Sequence, residues 1–272
     1  MKIKEVLLKI VSPLIAPTYN KYIFKKVDRA VICGDTHIPF HDHKILNLLI
    51  QVARQQKIKT LFIGGDLTDQ KTVSRYLIRQ PHTTTKLNEE IIELKNVLEV
   101  LFKTFNKIYL IAGDHDERLL KKLSFELNWT TFIESIEKQL VVAGKLEASD
   151  YMFAVIKSGN LEWRITHPLR ATKRPTTKSL QIASITEQNI IMTHGHTFGM
   201  EFVPSGRYLA VNLGCMTDPL KQEYICLRDT GYSKWRRQFA TLENGKITIY
   251  DEGEQLTDWS KIIASRKKKN ES

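Results

Sequence analysis

The sequence predicts an α/β protein in which two sheets share one domain, and three observations carry that prediction. Three short apolar runs in the first half each end in glycine and then aspartate, two helical patterns lie between them, and strand patterns with a hairpin signal fill the second half. The runs are Ala30-Val31-Ile32-Cys33 before Gly34-Asp35, Leu61-Phe62-Ile63 before Gly64-Gly65-Asp66, and Ile108-Tyr109-Leu110-Ile111-Ala112 before Gly113-Asp114. Short and almost uninterrupted apolar runs describe strands buried on both faces.

Between the runs, Ile45, Leu48, Leu49 and Val52 share one helical face. Leu87, Ile91, Leu94, Leu98, Leu101 and Phe105 recur at alternating steps of four and three, a second amphipathic helix. Thr85 suits its N-cap, and Glu89 and Glu90 stand near the positive end of its dipole. Strand–helix–strand alternation implies parallel strands joined by right-handed crossovers. Later, Leu161-Glu162-Trp163-Arg164-Ile165 alternates and ends at Thr166-His167-Pro168, while Asn189-Ile190-Ile191-Met192 leads into Thr193-His194-Gly195-His196. Tyr208 to Val211 form a further strand ending at Asn212-Leu213-Gly214, and the runs Tyr224 to Leu227 and Phe239 to Tyr250 read as hairpin strands. Asn244-Gly245 is the turn signal of that last hairpin. No Pro/Gly/Ser-rich linker divides the halves, so residues 28–260 form one domain, with an N-terminal amphipathic extension (1–27) and a basic C-terminal tail (261–272).

Composition bounds the function. With 272 residues, 42% hydrophobic and 26% charged, there is ample material for a core. No stretch reaches the roughly 20 apolar residues of a membrane-crossing helix, and Glu5 and Lys9 interrupt the only run resembling a secretory signal. Three cysteines, Cys33, Cys215 and Cys226, exclude a disulfide scaffold and suit the reducing cytoplasm. The 41 Lys and Arg against 30 Asp and Glu give a net charge of +11, which suits an anionic partner such as nucleic acid, a phosphorylated substrate or a membrane surface, or serves solubility alone; composition does not choose between them.

Parallel α/β sheets bind ligands beyond the carboxyl ends of their strands. One Gly-Asp there is ordinary turn chemistry, but Asp35, Asp66 and Asp114 at successive strand ends converge on one edge. Asp35, His37, Asp66, Asp114, His115, His167, His194 and His196 gather at strand ends, six of the eight immediately past apolar strands. Mixed carboxylate and imidazole donors suit Mn, Fe, Zn or Ni better than Ca or Mg. Two metal ions about 3.5–4 Å apart need a bridging carboxylate and about three further ligands each. This set supplies that number with one histidine left over.

In these blocks the sequence resembles the calcineurin-like metallophosphoesterases, whose pattern is Asp-x-His, Gly-Asp-x-x-Asp, Gly-Asn-His-(Asp/Glu), a single His, then Gly-His-x-His. Here they stand as Asp35-Thr36-His37, Gly65-Asp66-Leu67-Thr68-Asp69, Gly113-Asp114-His115-Asp116, His167 and Thr193-His194-Gly195-His196, within about residues 28–215. The resemblance implies a four-layer αββα sandwich of two mixed sheets flanked by helices. It implies that Asp35, His37, Asp66 and His196 hold one divalent ion and Asp66, Asp114, His167 and His194 the other. Manganese is the first expectation, with iron, zinc and nickel as alternatives. It further implies attack on phosphorus by a hydroxide bridging the two ions, with His115 as the acid that protonates the leaving alkoxide. Asp69 and Asp116 are expected to support the ligands or the turns rather than bind metal. Some relatives keep the fold as a protein-binding scaffold after losing the acid histidine or the ligands; every expected position here holds a competent side chain.

Two departures stand out. Asp114 replaces the usual Asn, adding a third carboxylate, which should tighten metal binding and weaken Lewis acidity. Thr193 replaces Gly in the last block; a shifted register would put His196 first and leave Phe198 where a ligand is needed, so His194 with His196 is preferred. Ile38 after His37 and Gln70 after Asp69 disfavour the protein Ser/Thr phosphatase branch. Arg118, Arg170, Lys173 and Arg174 are the candidate substrate-binding cations, and Lys234, Arg236 and Arg237 around Trp235 mix basic and stacking groups suited to nucleic acid. A phosphodiesterase or nuclease is expected ahead of a phosphomonoesterase. The oligomeric state is left open.

Overall fold

All but one of the expected apolar runs become strands, and each helical pattern becomes a helix packed against them. The computed structural model describes residues 22–74, 86–142, 145–226 and 234–251. In chain order these form β1 (Ile23–Lys26), β2 (Arg29–Cys33), α1 (His43–Gln55), β3 (Thr60–Gly64), α2 (Leu87–Phe102), β4 (Lys107–Ile111), α3 (Arg118–Lys122), α4 (Trp129–Glu137), β5 (Lys145–Ser149), β6 (Phe153–Ser158), β7 (Leu161–Thr166), α5 (Thr177–Thr186), β8 (Asn189–Met192), β9 (Phe198–Phe202), β10 (Leu209–Leu213), α6 (Glu223–Cys226), β11 (Gln238–Glu243) and β12 (Lys246–Asp251). Two mixed six-stranded sheets result, in the orders β12-β11-β2-β3-β4-β5 and β1-β6-β7-β8-β10-β9. In the first, β2 to β5 run parallel and the β11–β12 hairpin closes against β2 antiparallel. In the second, β7, β8 and β10 run parallel, with β6 and β9 antiparallel to their neighbours β7 and β10.

The period-2 alternation of a strand explains why these runs are apolar throughout. Val31, Leu61, Ile63, Ile108 and Leu110 face the layer of α1, α2 and α4, where Leu49, Leu98 and Trp129 are buried. The intervening Ile32, Phe62, Tyr109 and Ile111 point the other way and meet Ile156, Trp163, Ile165, Ile191 and Val211 of the second sheet. On that sheet's outer side Ile190, Met192 and Ala210 pack under Ala183 of α5. Three cores between four layers make the αββα sandwich. Trp163 is 2% exposed, and its truncation to alanine costs about 3–5 kcal/mol. Its indole N–H donates to the carbonyl of Gly245 in the β11–β12 turn (3.2 Å), and Gly245 N–H donates to Ser158 Oγ (3.0 Å), tying one sheet to the other. That turn takes left-handed φ at Asn244 (47°) and Gly245 (82°), the conformation the Asn-Gly pair predicts.

Several expectations need correction or placement. Ile23–Lys26, within the expected extension, is a strand paired parallel to β6. The run at Tyr224 is helical, not a hairpin strand: Asp218 caps a 3-10 turn at Pro219–Lys221, and the Ile225 and Cys226 amides bond to the Gln222 carbonyl. Thr85, residues 1–21 of the N-terminal extension and the basic tail 261–272 lie outside the described residues. In the first turn of α2, Lys86 N–H donates to the Glu89 carboxylate (2.9 Å), while Glu90 turns inward and is buried.

Candidate metal centre

Five strand ends deliver the site. The loops after β2, β3 and β4 carry Asp35 with His37, Asp66 with Asp69, and Asp114 with His115; those after β7 and β8 carry His167 and His194 with His196. Asp35, His37, Asp66, His194 and His196 all take positive φ, between 48° and 75°. That region is unfavourable for side-chain-bearing residues and is held where the surroundings over-determine it. Glycine supplies the room between them. A Cβ on Gly65, whose φ is +89°, would lie 2.6 Å from His167 Nδ1, and one on Gly113 would collide with Asp66.

Among the described residues the side chains form three groups, of which His37, Asp69 and His115 are one and the other two hold the predicted ligands. Asp66, Asp114, His167 and His194 each turn one donor atom into a space where all lie within 4.8 Å of one another, and Asp35, His37 and His196 do the same. In the first, His167 Nε2 is 3.2 Å from Asp114 Oδ1 and 3.4 Å from Asp66 Oδ2, and His194 Nδ1 is 3.1 Å from Asp114 Oδ1. In the second, His37 Nε2 is 3.2 Å from His196 Nε2, which is 3.4 Å from Asp35 Oδ1. Asp66 belongs to the first group and borders the second. Its Oδ1 accepts the His115 amide (2.9 Å), which leaves Oδ2 facing His167 on one side and His37, at 3.6 Å, on the other.

These donors fit divalent cations. Asp35 Oδ2 accepts the His194 amide (2.7 Å), while the buried Oδ1 has no hydrogen-bond partner. Two pairs of imidazole nitrogens, His37 with His196 and His167 with His194, approach to 3.2 and 3.1 Å, a contact that a cation between them relieves. Outer partners set the tautomers. His37 Nδ1 meets Asp69 Oδ2 at 3.1 Å, and His167 Nδ1 meets the Gly64 carbonyl at 3.1 Å, so each presents Nε2 inward. Burial opposes charge on His167, yet the carboxylates of Asp66, Asp114 and Asp35 outweigh it and hold this imidazole well above its usual range. Burial likewise disfavours the Asp66 carboxylate, but His167 and its fellow imidazoles keep it well below the usual carboxylate range.

Asp69 and Asp116 work around these groups. Asp69 Oδ2 lies 3.1 Å from His37 Nδ1 and 3.3 Å from His115 Nδ1, and its carbonyl and Oδ1 receive Arg118 at 2.8 and 3.2 Å. Burial opposes charge on His115, but Asp66 and Asp69 raise its pKa above the ordinary imidazole value. Asp116, fully buried, accepts from the amides of Leu67, Thr68 and Gly113 and from the Thr68 hydroxyl, stitching the β3 loop to the β4 loop. Asp114, His115, His194 and Arg118 are partly exposed while Asp35, His37, Asp66 and His167 are buried, so the centre opens to solvent on the former side.

Among the predicted cations, Arg118 reaches His115 Nε2 at 2.8 Å. Arg170 and Lys173 are exposed on the loop after His167, but Arg174 is engaged by both carboxylate oxygens of Glu201, at 3.0 and 2.9 Å. Trp235 stands edge-to-face against His196, with ring centroids 4.1 Å apart. No spacing in the sequence signals that contact, which joins positions far apart in the chain; the basic–aromatic composition around it is the one available sign. The double duty of Asp69 is similarly hidden, because it comes from the second ring nitrogen of His37.

Fold and site together define a two-sheet α/β protein with paired Asp/His clusters competent for divalent metal at the strand ends. The family model for calcineurin-like phosphoesterases matches residues 29–208, and the chain belongs to that family. No curated protein matches the sequence. Among solved structures it is similar to vacuolar protein sorting 29 from Cryptosporidium parvum, at 16% identity over 85% of this chain and 95% of that one, with a TM-score of 0.48. Zinc-complexed Vps29 from Entamoeba histolytica (16% identity, 85% and 99% covered, TM-score 0.43) and Vps29 from Chaetomium thermophilum (13%, 85% and 91%, 0.44) are also similar.

Proposed function

We propose that this chain is a dinuclear metal-dependent phosphodiesterase or nuclease. The observation that carries the reading is Asp66 Oδ2, which faces both donor groups while Oδ1 is fixed by the amide of His115. Asp35, His37, Asp66 and His196 would hold one ion and Asp66, Asp114, His167 and His194 the other, manganese first among Mn, Fe, Zn and Ni. Bound there, such ions supply Lewis acidity, which neutralises phosphoryl oxygens and lowers the pKa of water.

The chain's own groups supply the rest. His115 donates a proton to the leaving alkoxide; Asp66 and Asp69 beside it favour the protonated form that this task requires, while burial and the Arg118 guanidinium oppose it. Asp69 fixes the orientation of His37 and sets a carboxylate 3.3 Å from His115 Nδ1. Arg118, always cationic, stands at His115 Nε2, within reach of a phosphoryl oxygen brought to that atom. Arg170 and Lys173 would meet further phosphates, which with the charge of +11 favours a polyanionic diester over a small neutral substrate. The free cysteines suit a cytoplasmic setting.

The test is to incubate the protein with Mn²⁺ and compare aryl phosphodiester, aryl phosphomonoester, single-stranded DNA, RNA and cyclic nucleotides, with Asp66→Asn as control. Hydrolysis of diesters by the wild type alone is expected. Activity confined to monoesters would sink the diesterase reading, and activity that survives in the control would come from a contaminant.

A further inference from the structure

We propose that Trp235 forms the subsite for the organic group that stays on phosphorus, and that this group is a nucleoside. This rests on the phosphoesterase reading above and adds a substrate class to it. The imidazoles of the centre form a sequence of edge-to-face contacts: His115 to His37 at 4.4 Å, His37 to His196 at 5.1 Å, and His196 to Trp235 at 4.1 Å between centroids. His115 and Trp235 are the two ends of that sequence, with two ligand candidates between them. In an in-line displacement the attacking oxygen and the leaving group are apical, so the retained ester group is equatorial and directed to the side, off the axis that ends at the acid His115. Trp235 is the large aromatic surface at the other end.

The loop that carries it is built into place. Arg236 N–H donates to the His196 carbonyl (2.8 Å), Cys215 N–H to the Arg236 carbonyl (2.7 Å), and Gln238 N–H to the Cys215 carbonyl (2.9 Å). Gly214 makes room, since a Cβ there would collide with the Arg236 carbonyl. Trp129 and Trp163, at 1% and 2% exposure, are packing residues; Trp235 keeps part of its surface open to solvent instead. Exposed Lys234 and Arg236 flank it, while Arg237 pairs with Asp42 at 3.1 Å. An indole with an accessible surface, bracketed by cations and adjoining a phosphate-binding centre, matches the demands of a nucleobase joined to phosphate.

The experiment compares two diesters with the same leaving group on the Mn²⁺-loaded full chain: thymidine 5′-(4-nitrophenyl phosphate) and methyl 4-nitrophenyl phosphate. Trp235→Ala should lower the ratio of their kcat/KM values about ten-fold, and Trp235→Phe should recover most of it. Equal losses on both esters would mean that Trp235 merely supports His196, and would overturn the proposal. Calorimetric titration with thymidine 5′-monophosphate and with inorganic phosphate gives a readout independent of turnover. The nucleotide should bind the wild type more tightly than phosphate does, and Trp235→Ala should remove that preference; an absent preference in the wild type, or one kept in the variant, overturns the proposal. Should neither ester be hydrolysed, the phosphoesterase reading fails while the titration still decides the subsite.

Discussion

The two sheets bring different chemistry to the same edge. The first delivers Asp35, Asp66 and Asp114 with His37 and His115, while the second delivers imidazoles alone, His167, His194 and His196. Carboxylates by themselves would repel one another and suit hard cations, and imidazoles by themselves lack the charge to hold two divalent ions. Each of the two groups of predicted ligands draws on both sheets, so the centre exists only where the sheets are docked. Trp163 to Gly245 and Gly245 to Ser158 are among the bonds that fix the docking.

The largest effect expected from the first sheet is at Asp66, which faces both groups. Asp66→Asn should weaken both ions and lower turnover by about 1,000-fold or more, measured by metal analysis and diester hydrolysis together. His115→Gln separates the acid from the ligands: kcat should fall about 10²–10⁴-fold with metal content unchanged, and a variant that lost its metal would place His115 among the ligands. From the second sheet, His194→Ala should weaken one ion and spare the other. Asp114→Asn, by removing one carboxylate, should weaken metal binding about ten-fold and raise turnover per bound ion; if neither changed, the extra charge would have no part in the site.

The smallest effect lies behind the first sheet. Glu90 is buried, and burial followed by the charge of Asp69 pushes its pKa up to about 8. A carboxyl raised above its unfolded value favours folding below the unfolded pKa, and that advantage is lost as pH rises through about 8. Glu90→Gln should therefore flatten the pH dependence of stability and stabilise the protein at pH 9 by about 2–4 kcal/mol, read from urea melts of variant and wild type across pH. A parallel fall in both would contradict this account of Glu90.

The same contrast governs how much was legible in the sequence. β2, β3 and β4 are buried on both faces, so their composition marks them and the glycine after each marks the exit. β5 (Lys145–Ser149) and β9 (Phe198–Phe202) are edge strands without a run of buried apolar residues, and neither is signalled. α5 buries only Ser179 and Ala183, too little for a helical stripe. The donor residues were readable because each is tied to a strand end. The pairing of Arg174 with Glu201 has no sequence signal, because the two lie 27 positions apart across the sheet edge.

The central claim is that Asp66 joins two ions into one centre. Electron paramagnetic resonance of the Mn²⁺-loaded protein, with metal content determined in parallel, tests it most directly. Two ions per chain about 3.5–4 Å apart, with a spin-coupled spectrum that Asp66→Asn abolishes, is the expected result. A single ion per chain, or two that give only the uncoupled six-line signal, would contradict a shared carboxylate.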